Sequence, residues 1–71
     1  MMQAVEISDE HIKLGQLLKL AGFVSSGVEA KIVIQNGEVK VNGEVDTRRG
    51  KKIYPQDVVE YNGKQVTVIG E

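Results

Sequence analysis

Cysteine is absent from this chain, which excludes a disulfide framework, thiol chemistry and any cysteine-ligated zinc ribbon or finger. A reducing compartment is compatible with that composition. Tryptophan is missing too, and Phe23, Tyr54 and Tyr61 are the only aromatics. The single histidine, His11, has no cysteine or second histidine with which to complete a metal site, so no metal or other cofactor is expected and His11 reads as a surface turn residue. Nowhere do 18 apolar residues run together, and the opening MMQAVEISDE lacks the basic and apolar regions of a signal peptide. The expectation is a soluble, cytoplasmic protein with no membrane partner. With 71 residues there is room for one domain, residues 1–71, near the lower limit for a self-sufficient hydrophobic core. A deep cleft for a small-molecule substrate is not expected in so short a chain, and it reads as a monomer.

A surplus of positive charge is also lacking: the net charge is -1, where polyanion binders usually carry a basic excess. The average conceals a pattern. Residues 31–52 carry a net +3, while residues 1–30 and 53–71 carry -2 each. Four of those cations, Arg48, Arg49, Lys51 and Lys52, fall within five positions. A ligand responds to such a local field more than to the total.

The pattern of elements is legible. QAVEI, residues 3–7, alternates weakly as a short strand and SDEH follows as a turn. Leu14, Leu17, Leu18 and Ala21 have the spacing of one helical face, and Gly22 stands where a left-handed C-terminal residue is expected. A second helix is predicted from Ser26, which with Glu29 has the spacing of a capping box in which the carboxylate returns to the Ser26 amide. Ala30, Val33 and Ile34 form its buried stripe, and Asn36-Gly37 ends it. Beyond Gly37 the period changes to two, with Asn42-Gly43 and Asn62-Gly63 as turns of type I′ hairpins. The sum is an α+β fold, two short helices packed on a small, mainly antiparallel sheet.

From Lys13 to Val59 the chain resembles the S4 RNA-binding domain. KLGQLLKLAG matches the opening basic residue, leucines and glycine of that family. Ser26, Glu29, Ala30, Lys31 and Ile34 match its serine-led second helix, and GEVKVNG and PQDVV match its last two motifs in the right order. VNGEVDTRRGKK is most similar to the small stand-alone bacterial members. The resemblance implies an S4-like αL fold with core motif 13–59. It also implies a face of two helices and a hairpin that binds structured RNA, such as ribosomal RNA or a ribosomal particle. The chain departs from the family at Gly27, where arginine is frequent, and at Gly15, where aspartate is common. Glycine within a helix costs about 1 kcal/mol relative to alanine.

The expected RNA-binding residues are Lys13, Ser26, Lys31, Lys40, Arg48, Arg49, Lys51 and Lys52, with Lys31, Lys40 and the RRGKK loop converging on one face. Arginine presents a planar fork to phosphate oxygens, lysine a mobile point charge. Ser26 caps its helix, whose first N–H groups are available to donate to a phosphate oxygen. Phe23 is assigned to core packing and Tyr54 to a half-buried sheet position. No acid is joined by a motif to a nucleophile or metal, so catalysis is not expected. Two rival functions are a protein-interaction module without direct RNA binding, and a ubiquitin-like sulfur carrier. The carrier requires a terminal Gly-Gly, and this chain ends Val-Ile-Gly-Glu.

Overall fold

The computed structural model describes residues 2–71. Its elements are β1 (Met2–Ile7), β2 (Ile12–Lys13), α1 (Leu14–Leu20), α2 (Gly27–Gln35), β3 (Val39–Val41), β4 (Glu44–Val45), β5 (Lys52–Ile53), β6 (Val58–Tyr61) and β7 (Lys64–Gly70). Five strands form one sheet in the order β1-β7-β6-β3-β4, while β2 and β5 form a separate two-residue ladder. Among the described residues only the β1–β7 pair is parallel, in register from Met2 opposite Gln65 to Ile7 opposite Gly70. A parallel pair needs a crossover, and here both helices and all the intervening strands supply it.

The core follows the sequence periods. Leu14, Leu17, Leu18 and Ala21 from α1 and its C-terminal cap, and Ala30, Val33 and Ile34 from α2, share one cluster with Val39, Val41, Val59, Val66 and Val68 of the sheet. Both helices end in the same way. Gly22 and Gly37 sit at φ +77°, and the following N–H groups return to the helix: Phe23 to the Leu18 carbonyl and Glu38 to that of Val33. This is the Schellman arrangement, which satisfies carbonyls left over at a helix end.

The start of α2 differs from a reciprocal capping box. Ser26 Oγ accepts from the Glu29 N–H at 3.1 Å, as expected, but Glu29 Oε1 accepts from the Ser25 N–H at 2.7 Å and the Ser25 hydroxyl at 3.0 Å. Reaching one residue further back gives that oxygen two donors where the Ser26 amide offers one. These bonds, the Ser25 N–H foremost, hold the Glu29 carboxyl below the usual carboxylate range.

At the tip of the β3–β4 hairpin, Asn42 and Gly43 adopt φ of 51° and 88°, both positive as a type I′ turn requires. A Cβ at Gly43 would meet nothing within 4 Å, so its requirement for glycine is purely conformational. Gly43→Val should therefore cost roughly 1–2 kcal/mol, the penalty of the left-handed region for a branched residue. Thermal denaturation followed by circular dichroism should show Tm lowered by about 5–15 °C. An unchanged Tm would contradict the turn.

Two sequence expectations are corrected. Tyr54 lies outside the strands and is 42% exposed, because β5 lasts only two residues before the chain turns through Pro55 and Gln56. His11 is half-buried rather than a surface turn residue, its ring centroid 5.8 Å from that of Tyr54. Phe23 packs on the core margin near Tyr61.

Candidate nucleic-acid interface

The loop between β4 and β5, residues 46–51, is fastened to the start of α1. Lys13, the N-cap of α1, makes no side-chain cap. Instead Leu14 donates its N–H to the Lys51 carbonyl at 2.9 Å and Gly15 donates to the Arg49 carbonyl at 3.1 Å. Helix-end donors left unpaired by α1 are thus satisfied by the basic loop, which fixes the loop relative to the helices.

This clamp divides the loop cations between two concavities. The first, of about 320 Å³, lies between α1, the N-terminus of α2 and the loop; Lys13, Gln16, Lys19, Gly27, Arg49 and Gly50 line it with Gly15. It contains three cations and no carboxylate. The second, of about 410 Å³, lies beside the hairpin and holds Arg48, Lys51 and Lys52 together with Glu44, Asp46 and Asp57. There, Arg48 is already engaged. Its Nη2 lies 2.8 Å from Asp46 Oδ2 and its Nε 3.1 Å from Oδ1, while its backbone N–H donates to the same Oδ1 at 2.9 Å. The Arg48 side-chain bonds hold the Asp46 carboxyl below its ordinary range, and Asp46 in turn raises the guanidinium pKa. Among the described residues, Lys13, Lys19 and Arg49 form no ion pair.

The middle-segment cations, expected to converge on one face, are not all gathered into one concavity. Arg49 joins Lys13, while Arg48, Lys51 and Lys52 line the mixed-charge concavity. Lys40 projects from the solvent face of the sheet, since its neighbours Val39 and Val41 are buried and its register partner on β6 is Glu60. The exposed Lys31 lies one helical turn beyond Gly27 on α2 and does not itself line the first concavity. Ser26 spends its hydroxyl oxygen on the Glu29 amide, so its observed role is the cap.

Gln16 and Lys19 line the concavity without being among the expected RNA-binding residues, Lys19 ranking below Lys13 as a contact on sequence alone. Their signal was present: Lys13, Gln16 and Lys19 recur every three residues on the polar side of a helix whose other side is Leu14, Leu17 and Leu18.

Two motifs meet at the edge of the second concavity. Asn42 of the hairpin turn donates through Nδ2 to Asp57 Oδ1 at 3.1 Å and accepts at Oδ1 from the Val58 N–H at 2.9 Å. Asp57 Oδ2 also accepts from the Tyr54 N–H at 2.8 Å. The asparagine of GEVKVNG and the aspartate of PQDVV thus lock the hairpin to the turn after β5, and hence set where the basic loop begins and ends.

The family profile described as S4 domain matches residues 5–69. The chain belongs to the S4 domain family. Two small S4 relatives match over most of their length. The probable ribosome maturation protein RlbA of Bacillus subtilis (strain 168) is 49% identical over 63 residues, covering 89% of each chain. YbcJ of Escherichia coli (strain K12) is 46% identical over 59 residues, covering 83% of this chain and 84% of its own. The solution structure of E. coli YbcJ superposes with a TM-score of 0.69 at 40% identity, over 96% of this S4 protein and 85% of that chain. That structure is described as revealing an αL motif involved in RNA binding. An uncharacterized RNA pseudouridine synthase of Aquifex aeolicus (strain VF5) is 39% identical over 56 residues, which make up 78% of this chain but 22% of the enzyme.

Proposed function

We propose that this S4 domain protein is a noncatalytic binder of structured RNA, acting as one domain in the cytoplasm on ribosomal RNA or a maturing ribosomal particle. The observation that carries the reading is the carboxylate-free concavity, where Lys13, Lys19 and Arg49 surround backbone at Gly27 and Gly50. Three unpaired cations around a recess are suited to phosphates, and glycine at two lining positions lets a ribose–phosphate chain approach the backbone. Lys31 extends the basic line along α2. Arg48, Lys51 and Lys52 make a second, weaker contact because carboxylates share their concavity. The RNA class is supported by the description of the YbcJ motif, and the ribosomal context by the name of RlbA. The absence of catalysis is supported by the Aquifex match, in which a segment of this kind makes up a minor part of the enzyme.

Filter binding of structured ribosomal RNA fragments across a salt series tests the proposal. Three to four neutralised phosphates should give a log–log slope of about -2 to -3.5. Affinity should be similar for fragments of one shape and different sequence, because phosphate contacts position without reading bases. Binding that does not respond to salt would overturn the reading in favour of a protein-interaction module.

A further inference from the structure

We infer that Gly15 is a positioning residue for RNA binding: by lacking a side chain it seats the stem of Arg49 against α1, so that Arg49 enters the carboxylate-free concavity beside Lys13 and Lys19. The inference rests on the RNA reading above and specifies how its arginine is held.

Gly15 is buried inside a helix, where glycine is unfavourable on propensity alone. What it accommodates is specific. A Cβ at this position would stand 2.8 Å from Arg49 Cγ and 3.4 Å from Arg49 Cδ, but 3.7 Å from the Arg49 carbonyl oxygen. The last distance is an ordinary contact, so the loop backbone and its bond from the Gly15 N–H tolerate an added methyl. The first is closer than carbon atoms approach, so the arginine stem must move. Gly27 and Gly50 line the same concavity, yet a Cβ at either would meet nothing within 4 Å. Of the three lining glycines, only Gly15 is required by a neighbouring side chain, and that side chain is a cation of the proposed contact.

This seating bears on affinity. With its stem laid along α1, Arg49 gives up part of its rotamer freedom before RNA arrives, so less is lost on binding. A larger neutral residue at position 15 would displace the Arg49 stem from α1 while leaving the charge of the protein unchanged.

The test is a double-mutant cycle: wild type, Gly15→Ala, Arg49→Ala and the double variant, each binding a structured ribosomal RNA hairpin by filter assay from about 0.05 to 0.3 M salt. Arg49→Ala is expected to weaken binding about tenfold and make the salt slope shallower by about 1. Gly15→Ala should reproduce most of that loss with no change in charge, and the double variant should bind no worse than Arg49→Ala. Wild-type affinity in Gly15→Ala, or additive losses in the double variant, would overturn the inference while leaving the RNA reading intact. Wild-type affinity in Arg49→Ala would overturn the role of Arg49 itself. A second measurement does not depend on the variants folding: a nuclear Overhauser contact between Gly15 Hα and Arg49 Hγ is expected in the free wild-type protein, and its absence would sink the seating.

Discussion

Alanine substituted together at Lys13, Lys19 and Arg49 should weaken binding to structured RNA by roughly 10²- to 10³-fold at about 0.1 M salt, and make the salt slope shallower by about 2 to 3. The magnitude comes from counterion release: each phosphate contact removed returns a factor of about eight at that salt concentration, and the proposal gives each of the three one contact. The matched triple variant, Arg48, Lys51 and Lys52 to alanine, removes the same formal charge but should lose less than about tenfold. Two features of the second concavity set this difference. Glu44, Asp46 and Asp57 already offset its field, and the Arg48 guanidinium must leave a two-point pair with Asp46 before it can meet a phosphate. Five of these six cations are exposed and Lys51 is half-buried, so both variants should fold, which circular dichroism can check. Equal losses would show that the total charge removed matters and its placement does not. A reversed order would move the RNA contact to the hairpin side.

The comparison of these two variants also marks the limit of what the sequence discloses. The helices are legible because Leu14, Leu17, Leu18 and Ala21, and then Ala30, Val33 and Ile34, obey a local period, and every one of them is buried. The turns at Asn42-Gly43 and Asn62-Gly63 are legible because positive φ selects those residues, as observed at all four positions. The division of the cations is not legible. Arg48 and Arg49 are neighbours in the sequence and diverge into different concavities because the loop backbone is tied to Leu14 and Gly15, residues more than thirty positions earlier. A one-dimensional charge count cannot register that tie. The same holds for Gly15, which on propensity is only a flaw in a helix and in the fold is the space that Arg49 occupies. Lys40 shows the opposite case. Strand alternation alone, with Val39 and Val41 inward, turns it to the solvent face of the sheet, away from the core side where the helices pack.

Leu17→Ala is expected to cost about 2–5 kcal/mol and Leu20→Ala within about 0.5 kcal/mol, although the two leucines lie one turn apart on α1. Leu17 is fully buried, whereas Leu20 is 61% exposed. The buried cluster contains no aromatic residue and is dominated by valine, so the α1 leucines are among its largest fillers. Short, branched valines across the sheet have little reach with which to refill the space Leu17 leaves, which favours the upper part of that range. In a domain of this size the core supplies only about 3–5 kcal/mol of net stability, so the loss would leave a large unfolded fraction at 37 °C. Urea denaturation should show a midpoint lowered by most of its wild-type value for Leu17→Ala, and nearly unmoved for Leu20→Ala. Function should follow packing here, because α1 carries Lys13 and Lys19 and its first two amides hold the basic loop. Leu17→Ala should therefore lose RNA affinity in proportion to its unfolded fraction, with affinity restored at low temperature or in a stabilising osmolyte. A cationic-site variant such as Arg49→Ala should show no such recovery, since what it lacks is a charge and not a fold.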